Sequence, residues 1–233
     1  MRPHNMKTLP VAHFVDPEEL LDPIGFMRTE HDEQREFCRR LSTLVDDLSR
    51  EEILAESSSL LDFLLGRMAL NMKAEENDLM PLMRMRCASE KMAAAVLNKT
   101  WAAHSLIALY YSDIRCGLEC LSAGEMPEKP LDFIFDSLEF IDVVQRHVDC
   151  EDLVLLPLAE CLLTTADVTN LGHAIAVRHG LPFSTMSRMT DSPFRSSETD
   201  LAVFIDLQGN ATREPLRHTA WRHKKRAPFE QLH

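Results

Sequence analysis

Residues 71–82 read NMKAEENDLMPL and residues 147–158 read HVDCEDLVLLPL, one twelve-residue phrase written twice at a spacing of 76. Aligned without a gap, the copies share an acid pair (Glu75 and Glu76 against Glu151 and Asp152), an apolar pair (Leu79 and Met80 against Leu155 and Leu156) and a Pro-Leu. In an α-helix, residues i and i+4 lie above one another on one face. His147 and Glu151 therefore aim at one spot, and so do Asn71 and Glu75. A histidine also precedes each copy: His31 lies 40 residues before Asn71, and His104 lies 43 before His147. The chain thus reads as two similar helical hairpins, each with a histidine on its first helix and [His/Asn]-x-x-x-Glu on its second.

The text around these motifs supports helices. Glycine is scarce (7 in 233 residues), methionine is frequent (12), and 45% of residues are apolar, a balance that favours helix over strand. Asp22 followed by Pro23 reads as an N-cap with proline in the first turn, opening a helix to about Leu48. Ser49, with Glu52 three residues on, reads as a capping box for a second helix from about Arg50 to Met85, in which Pro81 should kink or close the last turn. Ser89 suits the cap of a third helix reaching about Ser122, and the loop AGEMPEKP separates it from a fourth over roughly Leu131 to Leu163. TTADVTNLGHAIAVRHG reads as a further capped helix ended by Gly180.

Long helices joined by short loops predict an all-α, up-down-up-down four-helix bundle, with a short extra helix and an irregular C-terminal extension. The expected organisation is a lead-in (1–21), the bundle (22–163), the terminal helix (164–180) and a linker with a basic tail (181–233), in which LAVFIDLQGN suits a short strand and turn.

The formal net charge of −12 argues against a general affinity for nucleic acid or anionic lipid. Residues 211–233 depart from this, carrying +4 against −16 for the remainder. That tail reads as a solvated segment or the docking point of a protein partner rather than a nucleic-acid contact. Cys38, Cys87, Cys116, Cys120, Cys150 and Cys161 are scattered through helical text and read as reduced core residues. No apolar run resembles a signal sequence or reaches the length of a membrane span, so the expected location is the cytoplasm.

In the bundle, helices two and four lie at diagonal corners and run parallel, so their two phrases meet at similar depth, and helices one and three supply His31 and His104. Imidazole and carboxylate donors gathered from four helices suit iron or manganese; zinc needs only four ligands. Leu79, Met80, Leu155, Leu156, Met68, Met72 and Trp101 are expected in the core around them. Glu76 and Asp152 point about 100° further round the helix than the acids they follow, and are read as supporting or solvated acids rather than ligands.

His31, NMKAEENDLMP, His104 and HVDCEDLVLLP together resemble the hemerythrin-like (HHE cation-binding) family, in its bacterial form, over about residues 22 to 180. The resemblance implies a non-haem di-iron centre with His31, Glu75, His104, His147 and Glu151 as ligands, and Glu75 and Glu151 as bridges. Asn71 stands where the family has a histidine. A carboxamide oxygen is a weaker donor to iron than imidazole, so the expected load is two irons, or one if the Asn71 side is too weak, with manganese and zinc ranked behind.

Three function classes stay open on the sequence. The first is binding or sensing of oxygen, nitric oxide, peroxide or iron itself. The second is an enzyme that decomposes peroxide or repairs iron-sulfur centres. The third is a metal-free bundle acting as an interaction module.

Overall fold

The structure is a computed structural model that describes residues 15–49, 51–87 and 91–181 and the backbone of 202–205 and 211–214. The chain divides into two compact units, Met1–Ser192 and Pro193–His233. Within the second, Ala202–Ile205 and Ala211–Glu214 pair as an antiparallel hairpin, with Ala202 opposite Glu214 and Ile205 opposite Ala211. The first strand lies in the segment read as strand and turn; the second lies in the basic tail, to which the sequence assigned no fold.

The first unit is helical among its described residues. A short 3-10 turn, Glu19–Leu21, leads into α1, Pro23–Asp46. The Asp22 carboxylate accepts from the Gly25 amide at 3.0 Å, and Pro23 occupies the first turn, where its missing N–H costs nothing. Helix α2 (53–86) is continuous but alternates in winding: Ile53–Phe63, a π turn Leu64–Met68, Ala69–Ala74, a second π turn Glu75–Leu79, and Met80–Arg86. Helix α3 is Lys91–Ser122. Helix α4 (130–162) joins Pro130–Cys150, a π turn Glu151–Leu155 and Leu156–Leu162. Helix α5, Thr165–Arg178, opens on a reciprocal capping box between Thr164 and Asp167.

One sequence expectation about α2 needs correction. Ser49 does not cap it. The Ser49 hydroxyl donates to Asp47 Oδ1 at 2.6 Å inside the connecting turn, and α2 opens four residues later with Glu52 in the cap position and no side-chain cap bond. The helix continues past Pro81 to Arg86, close to its expected end at about Met85. The expected cap at Ser89 lies outside the described residues.

Each of α1 to α4 carries its apolar residues in two groups with a buried polar layer between them. On α1 the order is Ile24, Phe26 and Met27, then His31 and Gln34, then Phe37 to Val45. Helix α2 reverses it, from Leu60, Leu64 and Met68 through Asn71 and Glu75 to Leu79, Met80 and Met83. Helices α3 and α4 repeat the alternation, with Thr100 and His104, and His147 and Glu151, as their polar residues. This alternation is the up-down-up-down bundle: α1 and α3 each border α2 and α4. The polar layer crosses the middle of an otherwise apolar core.

Helix α5 closes one end of that core. Leu171 and Ile175 join the cluster of Ile24, Met80 and Leu156, while Arg86 reaches Asp167 at 2.8 and 2.9 Å and Arg178 reaches Asp78 at 2.6 and 2.9 Å. Gly172 permits this docking, because a Cβ there would stand 2.3 Å from the Leu20 carbonyl oxygen. Of the residues expected in the core, Met72 and Trp101 are only partly buried. The cysteines are all free thiols, but only Cys38 and Cys87 are buried; Cys116 and Cys161 are exposed, so core packing does not account for them.

Candidate metal centre

The two copies of the repeated phrase fold alike because proline imposes the same local problem on both. Pro81 and Pro157 have no N–H to close an α turn, and their rings crowd the carbonyl four residues back. A π turn ahead of each proline absorbs the mismatch: the Met80 amide donates to the Glu75 carbonyl, and the Leu156 amide to the Glu151 carbonyl. The wider turn lets residues four and five positions on share a face with the acid. Hence Glu75, Leu79 and Met80 are all buried, as are Glu151, Leu155 and Leu156.

The side chains of the polar layer converge. His31, Glu75, His104, His147 and Glu151 are each at most 3% exposed, and so is Asn71. His104 Nε2 lies 3.1 Å from Glu75 Oε2, and His147 Nε2 lies 3.6 Å from the same oxygen and 3.7 Å from Glu151 Oε2. The rings of His104 and His147 meet edge to face, with centroids 4.6 Å apart. Donor atoms of Glu75, His104, His147 and Glu151 all fall within 4.8 Å of one another, the spacing of ligands around one ion. His31 and Asn71 approach Glu75 through its other oxygen: His31 Nε2 lies 3.3 Å from Oε1, and the Asn71 amide donates to Oε1. His31 Nε2 is also 3.2 Å from Glu151 Oε2.

The second acid of each phrase turns outward and serves a histidine of the other half. Glu76 Oε1 lies 2.8 Å from His104 Nδ1, and Asp152 Oδ1 lies 2.6 Å from His31 Nδ1. Sequence reasoning left these two acids between a supporting and a solvated role; the structure places both against imidazoles. A carboxylate on Nδ1 fixes ring orientation and tautomer, leaving the Nε2 edge toward the interior. Arg35, which the sequence did not single out, holds Asp152 Oδ2 at 2.6 Å and Asp149 at 3.1 Å. The signal available for it was its position one helical turn after His31.

Acid and base pull each other's proton affinities apart here. Burial alone would lower His31, but Asp152, Glu151 and Glu75 outweigh it and raise the imidazole from 6.5 to about 11. His104 rises to about 10 for the same reason, burial being overcome by Glu75 and Glu76. Burial would raise Glu75, but His104, His147 and His31 hold it well below the usual carboxylate range. In the absence of another cation, protons supply the positive charge this cluster requires.

The residues fit a cation by a second criterion. Glu75 Oε2, both oxygens of Glu151, and Nε2 of His104 and of His147 are buried with no well-aligned hydrogen bond, and their close approaches are to one another and to His31. Buried polar atoms are rarely left so, and the four residues that carry them each bring a donor atom within 4.8 Å of the others.

Two carboxylates and two imidazoles brought to a buried centre from three helices of a four-helix bundle define a class: a helical bundle with an interior cation site. The chain belongs to the hemerythrin HHE cation-binding domain family, whose family model matches residues 22–159. It is a metal-binding hemerythrin-like protein. Neither a curated protein nor a solved structure matches the chain significantly. Among the described residues no helix is long and apolar enough to cross a membrane.

Proposed function

We propose that the protein binds iron in the polar layer of the bundle and uses it to bind or sense a small ligand: oxygen, nitric oxide, peroxide or iron itself. Glu75, His104, His147 and Glu151 would hold the metal, with His31 and Asn71 as the remaining candidates. Mixed nitrogen and oxygen donors suit iron ahead of manganese and zinc. Bound iron would supply a centre that changes oxidation state and accepts a diatomic or peroxide ligand. The residues orient the donors, exclude water through Leu79, Met80, Leu155 and Leu156, and hold the imidazoles on Glu76 and Asp152.

The observation that carries this reading is the convergence of buried donor atoms of Glu75, His104, His147 and Glu151, which lack well-aligned hydrogen bonds, within 4.8 Å of one another. Each uncompensated polar group in such a place costs about 1–3 kcal/mol, a penalty that a metal-free interaction module would bear with no return. A groove of about 570 Å³ between α3 and α4, lined by Ala102, Ala103, Leu106, Val143, Leu153 and Val154, reaches Thr100 and His147 and supports entry of a small ligand. The cytoplasm, and a protein partner for the basic tail, belong to the same reading.

The test is metal analysis of protein purified without oxygen, followed by absorption spectra on adding oxygen, nitric oxide or peroxide. Iron retained through desalting, with spectra that shift on adding one of these, is the expected result. Iron at trace level, with no gain on adding ferrous ion, refutes the assignment. Peroxide consumed catalytically, and lost in His147→Ala, would make the protein an enzyme instead.

A further inference from the structure

The polar layer is divided, and the division falls within one side chain. Glu75 Oε1 is satisfied, since it accepts from the Asn71 amide and from His31 Nε2. Glu75 Oε2 makes no well-aligned hydrogen bond, and neither do Nε2 of His104, Nε2 of His147 or the two oxygens of Glu151. The four residues whose donor atoms lie within 4.8 Å of one another are those that contribute these atoms. His31 falls outside that group, and Asn71 meets Glu75 at Oε1, the oxygen turned away from it.

We infer that this chain holds a single metal ion, on the Glu75 Oε2, His104, His147 and Glu151 side, and that Asn71 and His31 cap Glu75 Oε1 by hydrogen bonds in place of a second ion. The inference rests on the metal-binding reading above and narrows it.

The chemistry of residue 71 drives the division. A histidine there would turn a ring nitrogen's lone pair toward the carboxylate, and the two could share a cation. A carboxamide beside a carboxylate oxygen must present its NH2, because two oxygens repel. The NH2 of Asn71 then occupies the Glu75 oxygen a second ion would need, and Asn71 Oδ1 is left buried and unpartnered on the other side of the amide. His31 completes the arrangement. Its Nδ1 faces Asp152, and its Nε2 lies 3.3 Å from Glu75 Oε1 and 3.2 Å from Glu151 Oε2, outside the group of four whose donor atoms lie within 4.8 Å of one another. With Asn71 in place, Glu75 would hold one ion through Oε2 rather than share two.

The test loads the full-length chain with ferrous ion under nitrogen, desalts it, and measures metal per folded chain, with circular dichroism as the control for folding. The wild type should retain about one iron per chain and Asn71→His about two, because the variant regains the missing imidazole. His31→Gln should still hold about one, whereas His104→Gln should hold almost none. After oxidation, an isolated ferric ion gives a half-integer-spin resonance, while an exchange-coupled ferric pair is silent; the wild type should show the signal and Asn71→His should lose it. Two irons per wild-type chain, or equal losses in His31→Gln and His104→Gln, would overturn the inference while leaving iron binding intact. No iron in any form would remove the metal-binding reading and this inference with it. Should Asn71→His fail to fold, the contrast between the two glutamine variants still decides the matter.

Discussion

Metal loading must displace a proton, so affinity should rise steeply with pH. In the metal-free bundle His104 holds a proton up to about pH 10, because Glu75 and Glu76 outweigh the burial that would release it. At pH 7 the unprotonated, metal-ready imidazole is then a minor species. Since the metal needs the unprotonated nitrogen, acid competes with it, and each unit of rising pH between 6 and 8 should raise the apparent association constant about tenfold. His31 should keep its proton throughout, being raised to about 11 and hydrogen-bonded at both nitrogens, so the slope should be near one rather than two. Competition against a chromophoric chelator at several pH values gives the slope. Calorimetry in buffers of different ionisation enthalpy counts the protons independently. An affinity flat in pH would refute histidine ligation at this centre. A slope near two would mean that His31 also gives up its proton, as a second metal would require.

Other perturbations test the scaffold that aims these groups. Asp152→Ala removes the partner of both His31 and Arg35 and should cost about 2–4 kcal/mol by urea denaturation; a loss under about 0.5 would show that the contact carries little energy. Leu64→Ala, at a fully buried position in the first π turn of α2, should cost about 2–5 kcal/mol, and a neutral result would contradict the packing. Gly172→Ala forces a methyl group into the 2.3 Å approach to Leu20, so it should lower stability by about 1–3 kcal/mol and expose α5 to limited proteolysis; unchanged cleavage would argue against the docking.

The helices and the polar layer were legible because both are periodic. His31, Glu75, His104, His147 and Glu151 fall at spacings that a helix converts into shared faces, and the two halves of the chain state the pattern independently. What escaped the sequence depends on local competition. Ser49 has the spacing of a cap, yet its hydroxyl finds Asp47 two residues back, a nearer acceptor than the amides of a helix that begins at Ile53. The π turns escaped because a single extra residue per turn leaves the acid and apolar letters in place and changes only how they are wound. Proline after the acid pair was the visible trace; its missing donor implied a disturbance, which the helix absorbs before the proline instead of stopping there.

The repetition of the phrase has a cause beyond supplying one carboxylate per half. In each copy the first acid turns into the centre, and the second crosses to a histidine of the opposite hairpin: Glu76 on α2 serves His104 on α3, and Asp152 on α4 serves His31 on α1. Neither hairpin can therefore complete its own imidazole. The hairpin of α1 and α2 lacks the acid that orients His31, and the hairpin of α3 and α4 lacks the one that orients His104. Because both imidazoles are buried and their acids only partly exposed, loosening the seam between the hairpins would leave the imidazoles without their partners, which penalises partly docked states more than a plain apolar seam would. The same crossing confines the effect of Asn71. It sits at the first position of its copy, four residues before the inward acid, and alters what Glu75 can bind while leaving Glu76 on His104 and Asp152 on His31. A change at that one position can thus adjust how much metal the centre takes without loosening the bundle that builds it.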